Sequence, residues 1–73
     1  MRHMREVEIR DGRIRLGQLL KLANLAEHGA AAKALLEAGE VRVNSVVETR
    51  RGRQLVPGDM VTLGAEEVRI VRG

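Results

Sequence analysis

The chain has no Phe, Tyr or Trp, no Cys, and a single proline, Pro57. Without aromatic rings it cannot work mainly by stacking bases, as sequence-tolerant single-strand binders and RNA-reading sheets do. Without cysteine it has neither a disulfide nor a thiolate metal site, and that composition fits a reducing cytoplasm. No apolar run approaches the roughly 20 residues needed to span a bilayer, so no membrane partner is expected. Nor does Met1-Arg2-His3-Met4-Arg5 lead into an apolar stretch, so it does not read as a secretory signal. Met4 is an alternative start, and His3 is read as part of a mobile terminus.

What is present is aliphatic and basic. The 73 residues are expected to form one domain over 1–73, with no internal repeat, linker or low-complexity tract. A domain this small buries only about 60% of its extended-chain surface, so its core is thin. The 44% of apolar residues still suffices for an aliphatic core. The net charge is +3, and the sequence pI of about 10.6 exceeds the value of roughly 9 that marks candidate nucleic-acid binders. Where that charge lies matters more than its sum.

The hydrophobic period changes along the chain. Val7 and Ile9 alternate with Glu6, Glu8 and Arg10 as in a half-buried strand, and Asp11-Gly12 follows as a turn. Leu16, Leu19, Leu20, Ala23 and Leu25 recur at helical spacing. A second helix is expected from near Gly29 through Ala38, with Gly39 ending it in the left-handed region. The remainder reads as strands. Val41 and Val43 turn at Asn44-Ser45 into Val46-Val47, and Thr49-Arg50-Arg51-Gly52-Arg53 forms a basic loop. Pro57-Gly58-Asp59 is a turn, Met60–Leu63 a strand, and Val68, Ile70 and Val71 the last strand. The fold class is therefore α+β, with two packed short helices against a small, mainly antiparallel sheet.

The positive charge is concentrated. Between Val41 and Gly58, Arg42, Arg50, Arg51 and Arg53 face one acid, Glu48. The helices carry charge in the unfavourable direction for their dipoles. Arg15 stands at the start of the first and Lys33 early in the second, while Glu37 and Glu40 come late. An anion seated at those helix starts would account for the pattern. A solvated basic turn, and charges tolerated at tenths of a kcal/mol, account for it equally on composition alone.

Little points to an enzyme. His28 falls between the helices with no Ser, Cys or carboxylate arranged around it, and reads as a capping or surface residue. Asp59 reads as part of its turn. No spacing suits a metal, and no loop is built to cradle a nucleotide. No cofactor is expected.

From Arg15 to Leu63 the sequence resembles an S4-type RNA-binding domain. Arg15-Leu16-Gly17-Gln18-Leu19-Leu20 is similar to the Arg-Leu-Asp-x-Leu-Leu opening of that family's first helix. His28–Leu36 resembles its second helix, with Lys33 as the basic residue. Gly39-Glu40-Val41-Arg42-Val43-Asn44 resembles the Gly-x-Val-x-Val-Asn signature, and Val56–Val61 resembles the later Gly-Asp turn. The short length and Val47-Glu48-Thr49-Arg50 are similar to the small stand-alone bacterial members. Gly17, Gly29 and Ser45 depart from the family pattern, which often has Asp, a polar residue and Gly there. The resemblance implies an RNA-binding surface made by the two helices and the adjoining hairpin; with no ring to stack, non-catalytic binding of structured RNA is expected, ribosomal RNA before transfer RNA, by a monomer. Arg15, Lys21, Lys33, Arg42 and Asn44 would carry it, alongside Arg50, Arg51 and Arg53, with Gln54 a further candidate. About four to six phosphates would be neutralised, giving steep salt dependence. A protein-docking module that uses a sheet edge is the alternative. DNA binding ranks third, because the second helix offers mostly alanine and leucine to a groove.

Overall fold

The alternation at Val7 and Ile9 does mark a strand, but a longer one than the pattern shows. In the computed structural model, which describes residues 3–73, strand β1 spans His3–Ile9. Met1, Arg2 and the side chain of His3 lie outside the described residues. The backbone of His3, read as a mobile terminus, instead opens β1. That strand pairs in parallel with β7 (Glu66–Arg72), from His3↔Glu66 to Ile9↔Arg72. A parallel pair needs a crossover, and here the crossover is everything between the two strands.

The intervening elements are β2 (Ile14–Arg15), α1 (Leu16–Leu22), α2 (Gly29–Glu37), β3 (Val41–Val43), β4 (Val46–Val47), β5 (Gln54–Leu55) and β6 (Met60–Leu63). Five strands form one sheet in the order β1-β7-β6-β3-β4, antiparallel except for β1 with β7. The expected α+β class and mainly antiparallel sheet are what is observed. Strands β2 and β5 form a separate ribbon, with Ile14 opposite Leu55 and Arg15 opposite Gln54.

One face of the sheet is dry. Val41, Val43, Val61, Val68 and Ile70 lie buried there with Leu16, Leu19 and Leu20 of α1 and Ala32 and Leu36 of α2. Burying each leucine contributes roughly 1.5–3 kcal/mol. Arg42, between Val41 and Val43, is exposed. Period-2 geometry puts it on the opposite face, away from the helices.

Helix α1 stops at Leu22, one turn before the expected Leu25. Asn24 takes a left-handed φ of 59°, a conformation short polar side chains tolerate. The Leu25 and Ala26 N–H groups then turn back onto the Leu20 carbonyl. Arg5 of β1 donates from Nη2 to the Ala23 carbonyl at 2.7 Å, a cation placed favourably at a helix C-terminus. Helix α2 runs as expected: His28 Nδ1 accepts from Ala31 N–H at 3.2 Å, and Gly39 (φ 71°) follows its end. No helix among the described residues is long and apolar enough to cross a membrane.

Candidate nucleic-acid interface

The basic loop is held against the start of α1. The β2–β5 ribbon brings residues 49–53 beside that helix, where Leu16 N–H donates to the Arg53 carbonyl at 2.8 Å. Gly17 N–H likewise donates to the Arg51 carbonyl at 3.0 Å. These are two of the donors that a helix N-terminus leaves without an internal partner. The chain itself therefore occupies the start of α1, where an anion had been expected. An anion beside the start of α1 must then be met by side chains, whereas at the start of α2 His28 caps only the Ala31 N–H.

Those side chains line an open cleft of about 380 Å³ between α1, α2 and the loop. Arg15, Lys21 and Arg51 supply its charge, Gln18 a neutral polar group, and no acid lines it. Gly17, Gly29 and Ala32 line it without bulk. Arg51 lies so close over Gly17 that a Cβ there would stand 2.5 Å from Arg51 Cγ. Where the family often has a carboxylate, this chain leaves room for a guanidinium arm. The departure at position 17 thus replaces an acid with space for a base. Gly29 has open space above it: an added Cβ would meet nothing within 4 Å.

Lys33 does not line this cleft. It is exposed and stands four residues after Gly29, one turn further along the same side of α2. A second open cleft shares Gln18 and Lys21 with the first and adds Arg10 and Arg13, but also Glu8 and Asp11. Sequence reasoning passed over Gln18 and Arg13. Only the fold of the chain before α1 brings Arg13 beside that helix.

The other expected cations are placed differently. Glu48, only 8% exposed, gathers two of the three loop arginines. Its Oε2 accepts from Thr49 and Arg50 backbone N–H groups, each at 3.1 Å, and from Arg50 Nε at 3.2 Å. Its Oε1 accepts from Arg50 Nη2 at 3.2 Å and Arg53 Nη1 at 2.9 Å. The Arg50 side-chain bond, then that of Arg53, then the Arg50 backbone bond lower the Glu48 pKa from the ordinary 4.5 to about 2 against the opposing effect of burial. The same pairing raises that of Arg50. Arg51 has no ion-pair partner among the described residues and is exposed.

Arg42 lines a different cleft, together with Glu40 and Glu67. Among the described residues that cleft lies on the sheet face away from the helices and from Arg15, Lys21 and Arg51. Asn44, though exposed, is tied to the turn before β6: its Nδ2 donates to Asp59 Oδ1 and its Oδ1 accepts from Met60 N–H, each at 3.0 Å. Asp59 Oδ2 in turn accepts from Val56 N–H at 2.9 Å, which makes Asp59 the turn residue it was read as. Arg15, Lys21 and Arg51 are therefore brought together and Lys33 stands near. Arg50 and Arg53 are paired, and Arg42 and Asn44 lie elsewhere.

The family model described as S4 domain matches residues 7–71, from β1 to β7. The chain belongs to the S4 domain family. Among relatives, this S4 chain is 48% identical over 50 residues to RlbA of Bacillus subtilis (strain 168), named as a probable ribosome maturation protein. That alignment covers 68% of this chain and 70% of RlbA. It is 38% identical over 58 residues to YbcJ of Escherichia coli (strain K12), named as a candidate RNA-binding protein, covering 80% and 83% of the two chains. The solution structure of E. coli YbcJ is described as revealing an alfaL motif involved in RNA-binding. It matches with a TM-score of 0.64 at 32% identity, over 93% of this chain and 85% of that one. The small stand-alone S4-like proteins are thus the relatives of this S4 domain, as the motifs implied. Among the described residues no group of three or more metal-binding side chains is found.

Proposed function

We propose that this S4 domain binds structured RNA without catalysis, holding backbone phosphates in the cleft between α1, α2 and the basic loop. The observation that carries the proposal is the cleft itself: three cations and no acid around a floor of glycine and alanine. Phosphates are the dominant anionic feature of RNA, and side-chain cations are what neutralise them. Ribosomal RNA or a maturing ribosomal particle is the preferred ligand, with transfer RNA second. The naming of YbcJ for RNA binding supports RNA as the ligand, and that of RlbA for ribosome maturation supports the ribosomal preference. With no aromatic side chain, recognition goes through shape and backbone rather than stacking.

Because Arg50 and Arg53 are paired and Arg42 lies across the sheet, about three or four phosphates are engaged rather than four to six. The salt slope is then near −0.9 per phosphate on a duplex and less on single strands. Fluorescence anisotropy with ribosomal RNA fragments and transfer RNA, titrated across salt, measures both slope and preference. RNA binding that persists unchanged in high salt sinks the phosphate reading, and no RNA binding at any salt favours docking on a protein.

A further inference from the structure

The side chain that gathers most of the basic loop's hydrogen bonds is the acid just before it, Glu48. Near an RNA site a carboxylate ordinarily repels the ligand, so its removal should tighten binding. The geometry around Glu48 points the other way. We infer that Glu48 is a positioning residue of the RNA site, closing residues 49–53 around its carboxylate so that Arg51 alone of the loop arginines reaches the cleft.

The causal chain runs through the backbone. Glu48 Oε2 holds the N–H groups of Thr49 and Arg50 at the start of the loop. Glu48 Oε1 holds the Arg53 guanidinium at its end. Between those anchors the Arg51 and Arg53 carbonyls face the Gly17 and Leu16 N–H groups, and the loop docks on α1. The Arg51 side chain then runs over Gly17, where only a residue without Cβ leaves it room. Glu48 also occupies the guanidinium groups of Arg50 and Arg53, which narrows the cations offered to a ligand. The strongly lowered proton affinity of Glu48 keeps this anchor charged throughout the neutral range.

This inference rests on the proposed RNA binding, and the test separates the two. Glu48→Gln keeps the size of the side chain and raises the net charge from +3 to +4 (13 − 9, from the 13 basic and 10 acidic residues). A purely electrostatic role predicts tighter RNA binding with a steeper salt slope. Positioning predicts affinity weaker by about three- to tenfold, and coupling to Arg51 in a double-mutant cycle. In an Arg51→Ala background, Glu48→Gln should then cost little more. Tighter binding, or a loss fully additive with that of Arg51→Ala, overturns the inference.

Hydrogen exchange at the Leu16 and Gly17 amides gives a readout that needs no RNA, and both should lose protection in Glu48→Gln. If the parent protein shows no salt-sensitive RNA binding, the functional proposal fails. Unchanged amide protection would then also overturn the positioning role. Should Glu48→Gln be too unstable to measure, Arg50→Ala carries the same cycle, since the Arg50 side chain is 73% exposed. Additivity of Arg50→Ala with Arg51→Ala is the overturning result there.

Discussion

Arg51 occupies the space that a side chain on Gly17 would take, its Cγ 2.5 Å from the position of a Cβ. Gly17 lies inside α1, where alanine is favoured over glycine by about 1 kcal/mol. The group in the way is Arg51 Cγ, near the root of its side chain, so Arg51 must turn about its first torsion, at a cost that offsets the helix gain. Gly17→Ala should therefore leave stability within about 1 kcal/mol of the parent while displacing Arg51 and weakening RNA binding. Thermal melts and anisotropy on one sample check both halves; an unchanged affinity would show that Arg51 need not lie over Gly17.

Arg51 and Arg42 give a paired test of which face meets RNA. Arg51→Ala should weaken binding and make the salt slope shallower by up to about 0.9, the share of one phosphate. Arg42→Ala, on the face shared with Glu40 and Glu67, should leave the slope as it was. Equal losses in the two variants would place RNA across both faces of the sheet.

Acid should loosen the loop in a defined window. The folded-state pKa of Glu48 is depressed from 4.5 to about 2, first by the Arg50 side chain and then by that of Arg53. A depressed carboxylate contributes stability that is fully present above its unfolded pKa and lost as pH falls through the folded one. The stability difference between the parent and Glu48→Gln should thus be constant above about pH 5 and shrink from there toward pH 2. Urea midpoints measured across that range check it, and a difference that stays constant down to pH 2 would refute it.

The β3–β4 hairpin carries removable strain. Asn44 and Ser45 both have left-handed φ, 51° and 73°, as a two-residue type I′ turn requires, and glycine is favoured at its second position. Ser45→Gly should raise stability by up to about 1 kcal/mol, since relief of left-handed strain outweighs the entropy of glycine. Asn44→Ala should lower it by about 1 kcal/mol or more, through the lost bonds to Asp59 and Met60. Chemical denaturation gives both values. RNA affinity of the folded Asn44→Ala protein should match the parent, and a specific loss would return Asn44 to the interface.

Much of the architecture was legible in the residues themselves. The helical period from Leu16, the alanine-rich stretch after Gly29 and the stop at Gly39 placed both helices, because each signal acts within a turn or two of chain. His28 as a cap and Asp59 as a turn residue were readable for the same local reason. The ribbon between Ile14–Arg15 and Gln54–Leu55 was not, since two residues cannot display a period. Nor was the parallel pairing of β1 with β7, which joins segments at opposite ends of the chain.

The arginine-rich loop shows where local reading stops. Sequence alone determined that four arginines cluster near one acid, that no ring is present to stack on a base, and that the family motifs occur in order. Which arginines face outward was decided only by tertiary structure. Glu48 closes on Arg50 and Arg53, strand alternation sends Arg42 to the far face, and the ribbon carries Arg51 over Gly17, which is 34 positions away in the chain (51 − 17). Charge composition follows from the residues present. The direction in which a charge points depends on hydrogen bonds and close approaches that exist only after distant segments have packed.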